Sequence, residues 1–306
     1  MTYHRDPRSM RWSGKLLQMM FFAGLILSPV MPNSTNAAPP GDMPFGAYDP
    51  GGDFANDAEV SIEHLFLPWE DVFLPSLIDA DVYAQERNRA ILTTIEPWTW
   101  NVSERNSPDY LRNSLLSGDY DGYMRAICAV LGTMESPVTI RWAQEMDDFS
   151  GQFIWAKWEP DDYVAGFRRV VDICREEAPQ IDVMWSPLGF ENLPEYHPGD
   201  DYVDLVGVSV FGLQRWEEAE FGNARSFVDI LTPRYERAVQ FGKPVVVAEL
   251  GYVGDADYVQ KWEQEVRQVY PQFPSLVGVI YFNQTEVYPW PDGFGLPDWR
   301  INERVE

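Results

Sequence analysis

The sequence predicts a single α/β domain built as a (β/α)8 TIM barrel, and three observations predict it. Eight short apolar, β-rich runs follow one another along the chain. Amphipathic stretches with helical spacing stand between several of them. The length left after an N-terminal leader matches the ~250 residues typical of this barrel. The runs are mostly unbroken rather than alternating, as parallel strands covered on both faces require. A doubly wound open sheet is the other arrangement of such a pattern, but no glycine-rich phosphate turn follows any of the runs.

At the start of the chain, Arg5, Arg8, Arg11 and Lys15 precede an apolar run from about Leu16 to Val30 and then the small residues Ser34 to Ala38. That order predicts a secretory signal peptide over residues 1–37 and a mature domain over 38–306. The apolar run is short of the roughly 20 residues of a membrane span, although an uncleaved anchor is the other reading of the same pattern. Export implies a periplasmic or secreted protein.

The predicted strands are Phe45–Tyr48, Ile62–Leu67, Ala90–Ile95, Val138–Trp142, Ile181–Trp185, Val203–Val210, Val245–Ala248 and Val277–Phe282. Helical spacing joins Tyr120, Met124, Ile127 and Leu131 before the fourth. From Asp161 onward it joins Tyr163, Phe167, Val170, Val171 and Cys174, with Pro160 at the start. Phe227, Leu231, Tyr235 and Val239 repeat it before the seventh, and Tyr258, Trp262, Val266 and Val269 before the eighth. The other crossovers show less helical character. Ser186–Tyr202 carries three prolines and reads as a long loop.

Composition narrows the partners. The chain has 45% hydrophobic residues, 14% aromatic residues and a formal net charge of −25. That charge disfavours nucleic acid and anionic surfaces and favours a neutral ligand. Cys128 and Cys174 fall in predicted helices; they pair in an oxidising compartment if those helices are neighbours, and are otherwise buried thiols. No Cys/His cluster has the spacing of a metal site, so no metal and no cofactor are expected. The domain is expected to act as a monomer.

In such a barrel, residues at the carboxyl ends of strands face the active-site mouth. Glu145 sits just beyond the fourth strand and Glu249 just beyond the seventh, on opposite sides of the barrel. Two facing carboxyls are the equipment of glycosidic-bond cleavage, one protonated to assist the leaving oxygen and one ionised to meet the oxocarbenium-like centre. A lone Glu after a strand is usually a cap or a solvated residue; a matched pair at strands four and seven is a narrower coincidence.

Several segments in a shared order resemble glycoside hydrolase family 26. They are "FGAYDP" (45–50), "TTIEPW" (93–98), "RWAQEM" (141–146), "HPGDDYVDLVGVSVFG" (197–212), "KPVVVAELG" (243–251) and "GVIYFN" (278–283). The resemblance implies that Glu145 is the general acid/base and Glu249 the nucleophile of a retaining mechanism. It also implies that Arg141 holds the nucleophile ionised, with a merely stabilising ion pair as the plainer alternative. The chain departs from the family at Gln144, where a His is usual, and at Ser209 and Phe211, where an Asp and a Tyr are usual. Tyr281 stands where a strand-eight tryptophan is expected. These changes surround the two acids and read as a rebuilt sugar subsite, since both acids are kept.

Trp69, Trp98, Trp100, Trp142, Trp155, Trp158 and Tyr281 lie at strand ends and form a candidate set of sugar platforms, although core packing is the commoner fate of any one indole. Glu96, Asp147 and Asp148 are candidates for sugar hydroxyls, with loop turns as the rival for the aspartates. The resulting expectation is a retaining, endo-acting glycosidase on a neutral β-linked polysaccharide, with β-glucan or a mixed-linkage polymer preferred to mannan. A non-catalytic carbohydrate-binding barrel in a polysaccharide assembly is the reading from another class; the missing Phe211 hydroxyl is its support.

Overall fold

The computed structural model describes residues 37–148 and 150–306. Apart from Ala37, the expected signal peptide lies outside the described residues. The strands β1 (Phe45–Tyr48), β2 (Val60–Pro68), β3 (Ala90–Glu96), β4 (Val138–Trp142), β5 (Asp182–Trp185), β6 (Leu205–Leu213), β7 (Val245–Val253) and β8 (Leu276–Phe282) close into one parallel barrel in chain order, β8 pairing back with β1. This is the (β/α)8 arrangement the sequence predicts.

Seven α-helices lie among the described residues: α1 (Pro75–Glu86), α2 (Pro108–Ser117), α3 (Asp121–Leu131), α4 (Pro160–Glu177), α5 (Gln214–Phe221), α6 (Phe227–Ala238) and α7 (Ala256–Glu265). Helical spacing anticipates α3, α4, α6 and α7 but misses α1, α2 and α5. In α1 the amphipathic signal is inverted. Ile78 and Val82 are exposed, while Asp81 is buried and accepts the backbone N–H groups of Glu135 and Ser136. Helix α7 also ends earlier than the periodicity suggests, leaving Val269 exposed beyond it. The long loop after β5 contains two short 3-10 turns. No helix of the described residues is long and apolar enough to cross a membrane.

Alternation along the strands sorts their side chains. Ile62, Leu92, Met184, Leu205, Val246, Ala248 and Ile280 pack together inside the lower barrel. The opposite parity packs under the helices and includes Phe45, Ile140, Trp142, Leu250 and Tyr281. Cys128 of α3 and Cys174 of α4 are joined by a disulfide, so the first of the two alternatives for these cysteines holds.

Candidate active site

Strand β7 runs past its predicted end, and the excess is what aims Glu249. Val208 pairs with Val247, but the next residue, Ser209, pairs with Glu249; a register shift also falls between Val247 and Leu250 against β8. One extra residue is thus inserted at Ala248. Below it Val246 and Ala248 face the interior, and above it Glu249 takes the inward position that strict alternation would give to Leu250. A β-bulge beside a site re-aims a side chain in this way. Glu249 therefore lies within the strand rather than just beyond it.

Across the mouth, Arg141 of β4 is fully buried and donates from Nη1 to Glu249 Oε1 at 2.6 Å, forming an ion pair. The same nitrogen reaches Thr94 Oγ1 at 3.3 Å, and Thr94 Oγ1 lies 2.7 Å from His64 Nε2. Burial, followed by the Arg141 charge, pushes the His64 pKa well below its ordinary value, so this imidazole stays neutral beneath the guanidinium.

The segment after β4 is pinned at every residue. Ala143 N–H donates to Ile95 O and Ala143 O accepts from the Tyr163 hydroxyl. Gln144 O accepts from Trp155 Nε1 at 2.7 Å, and Glu145 N–H donates to Ser186 O at 2.7 Å. Ala143 and Glu145 both adopt the left-handed region, with φ of 46° and 55°. Non-glycine residues persist there only when their surroundings hold them. The Glu145 carboxyl accepts a short hydrogen bond from Ser209 Oγ, and Ser209 is the residue paired with Glu249. One serine on β6 thus touches one acid through its side chain and pairs with the other through its backbone.

The two acids sit in opposite environments. Burial is the largest influence on Glu145, and the nearby Glu249 charge adds to it; together they push its pKa up to about 8, against the opposing pull of Arg141 and Ser209. Glu145 therefore keeps its proton at neutral pH, while Glu249 carries the ion pair. Glu96, at the end of β3, is pushed up to about 7, chiefly by burial. Its two oxygens accept from Gln144 Nε2 at 2.9 Å and Trp98 Nε1 at 3.0 Å. Glu286, in the segment after β8, is also raised by burial, with Glu249 contributing.

The remaining candidates divide. Trp100 is 56% exposed and open to a ligand, its backbone N–H fixed by Asp71. Trp98 is buried, with Arg105 3.4 Å above its ring and Trp155 against it, so it orients Glu96 rather than offering a face. Trp155 is fully buried and holds the Gln144 carbonyl, and Trp69, Trp142 and Trp158 are core indoles. Tyr281 does not open onto the mouth; it faces outward among Phe45, Phe54 and Tyr252, with its hydroxyl donated to Trp299 O at 2.6 Å. The inward strand-eight ring is Phe282, one residue further on, because a single step along a strand reverses the face. Phe211 does line the mouth, packed against Trp299 and Phe282. Asp147 spends both oxygens on the N–H groups of Leu188, Gly189 and Phe190, and Asp148 forms a turn with Ser150.

Residue patterns alone did not single out the aromatic rim of Tyr48, Phe66, Phe282, Trp290 and Trp299, nor His64 and Thr94 under Arg141. Strand parity carries the signal for Tyr48, His64, Phe66, Thr94 and Phe282. Trp290 and Trp299 lie in irregular chain and carry none.

No family model matches the chain. A GH26 β-mannanase from Bacteroides ovatus superposes with a TM-score of 0.57 over 79% of this chain and 80% of that one, at 16% identity. An endo-β-1,4-mannanase double mutant from Cellulomonas fimi gives a TM-score of 0.61 over 79% of this chain and 64% of that one, at 17% identity. The barrel fold is shared with these two enzymes. Identities so low speak for the fold alone. In sequence, the chain is 28% identical over 143 residues to a β-1,3-xylanase of an Alcaligenes species, a match covering 44% of this chain and 29% of that enzyme. A β-1,3-xylanase of a Vibrio species is 29% identical over 143 residues. The chain thus matches less than a third of the length of these curated relatives.

Proposed function

We propose that the protein is a retaining, endo-acting glycoside hydrolase of a neutral β-linked polysaccharide, with Glu145 as acid/base and Glu249 as nucleophile. The observation that carries this reading is the opposition of the two environments. A protonated carboxyl and an ion-paired carboxylate lie close enough to influence each other at the ends of β4 and β7, and divergent environments of paired acids mark their roles. In the first step Glu145 gives its proton to the leaving glycosidic oxygen as Glu249 attacks the anomeric carbon. A glycosyl–enzyme ester forms and the aglycone leaves with the proton. Glu145, now a carboxylate, then takes a proton from water, whose oxygen attacks the same carbon and releases Glu249. The two carboxyls suffice for these steps without a metal.

Ser209 is spent on Glu145, and Phe211 has no hydroxyl and packs on Trp299. Neither supplies the polar partner that an axial 2-hydroxyl of mannose would need, and such a missing bond weighs heavily in discrimination. This supports β-glucan, mixed-linkage glucan or, from the named relatives, β-1,3-xylan over β-1,4-mannan. Residues 38–306 act as an exported monomer in the periplasm or outside the cell. The Cys128–Cys174 bond supports an oxidising compartment.

The test is an NMR time course on these four polymers, reading the anomer first formed. Retention is expected, and Glu249→Ala should lower turnover by about a thousandfold or more, roughly 4 kcal/mol of barrier. First formation of the inverted anomer, or full activity in Glu249→Ala, would sink the assignment. Mannan as the best substrate by about tenfold would overturn the substrate argument.

A further inference from the structure

A ring-lined cleft with a volume of about 280 Å³ lies between the chain that follows β2 and β3 and the helices α2 and α3. Its lining includes Tyr110 of α2, Tyr123 of α3, Tyr120 just before α3, and Glu70, Asn106 and Asp119 from the connecting chain. Tyr110 and Tyr123 are 57% and 47% exposed, an unusual position for two large rings beside one cleft. Tyr120 is buried, stacked on Trp69 at 4.5 Å between ring centres and 5.9 Å from the Tyr123 ring.

The polar groups of this cleft are held in place. Asn106 Nδ2 donates to Glu70 Oε1 at 3.2 Å and to the Tyr120 hydroxyl at 3.0 Å; that hydroxyl donates in turn to the same Glu70 oxygen at 3.0 Å. The other Glu70 oxygen has no protein hydrogen-bond partner among the described residues. Trp69 and Trp142, both buried with ring centres 6.4 Å apart, stand between the cleft and the segment that carries Glu145. The lining of the cleft shares no residue with the candidate active site.

We propose that this cleft is a secondary binding site for a neutral β-linked glycan chain. A sugar ring presents an apolar face and an edge of hydroxyls. Exposed phenol rings beside an oriented carboxylate and amide match both at once. Glu70, Asp119 and the net charge of −25 disfavour an anion. An apolar partner would cover the second Glu70 oxygen without giving it a hydrogen bond. The class of ligand rests on the glycosidase reading; the site itself rests on the rings and the polar floor.

Native gels cast with mixed-linkage β-glucan, β-mannan or β-1,3-xylan test it, using a Glu249→Ala background so that the polymer persists. The parent should be retarded by at least one polymer. Tyr110→Ala with Tyr123→Ala should weaken that retention by about tenfold, the order that two lost ring contacts predict. In the otherwise wild-type chain the same pair should leave turnover of a short aryl glycoside unchanged, which reports an intact fold and mouth. If the double variant fails to fold, each single Tyr→Ala variant should lose about threefold, and Tyr→Phe at both positions should keep most of the retention. Equal retention in parent and variant overturns the proposal, and so does a parent that none of the polymers retards. A wild-type chain that binds through these tyrosines but cleaves nothing would instead overturn the glycosidase reading and leave this site standing.

Discussion

The barrel interior holds two layers of opposite character on the same strands. In the lower layer Ile62, Leu92, Met184, Val246, Ala248 and Ile280 pack together as an apolar cluster. One layer higher, His64, Thr94, Glu96, Arg141, Ser209 and Glu249 form a buried polar network. The lower layer stabilises by leaving water, at about 25 cal/mol per Å² of apolar surface. The upper layer takes charges out of water, where a buried ion pair seldom repays its desolvation. The contrast teaches where selection for stability ends and selection for chemistry begins, and the dividing line is the bulge at Ala248 and Glu249.

Breaking the upper layer should cost both stability and activity. Arg141→Met leaves Glu249 buried without its partner, so unfolding free energy should fall by about 3–5 kcal/mol, read by urea denaturation, with turnover lost as well. Adding Glu249→Gln should restore much of the stability and none of the turnover. A stable, active Arg141→Met would show that the pair is incidental.

Breaking the lower layer should cost stability alone. Leu92→Ala should lower unfolding free energy by about 2–5 kcal/mol, while kcat/KM of the protein still folded stays within about twofold of the parent. A large fall in kcat/KM without unfolding would mean that the two layers are coupled and the comparison fails.

The finest probe is the Ser209–Glu145 contact. In the proposed mechanism Glu145 acts as an acid in its protonated form, so kcat/KM should fall as pH rises through its raised pKa of about 8. The Ser209 hydroxyl favours the ionised form, so Ser209→Ala should raise that pKa further. The alkaline limb of the profile should then move to higher pH by up to about one unit, the worth of one hydrogen bond. A limb that stays in place or moves down would remove Ser209 from the account.

How much of this was legible follows from which residues carry a local signal. The eight strands are readable because unbroken apolar runs admit little else, and Glu145 and Glu249 stand out as acids at the ends of such runs. The aim of Glu249 is not readable, since the bulge that turns it inward is a property of register with β6 and β8. Tyr281 and Phe282 differ by one position and face opposite sides, and only the pairing decides which side is the mouth. The indoles fail for another reason. Trp155 in the core and Trp100 in solvent have the same chemistry, and only the surrounding packing separates them. Helix α1 carries a weak signal because one of its three buried positions, Asp81, is an aspartate serving a neighbouring turn.

The Cys128–Cys174 bond joins the helices on either side of β4, and the 46-residue span that it closes contains Arg141, Gln144 and Glu145. Its effect is felt most where there is no structure at all. A ring of that size removes roughly 4 kcal/mol of chain disorder from the unfolded ensemble. The segment that must later seat Arg141 and Glu145 is thus already confined before any of its native contacts form. Part of the free energy that keeps Arg141 and Glu145 in place comes from the disorder denied to the unfolded chain.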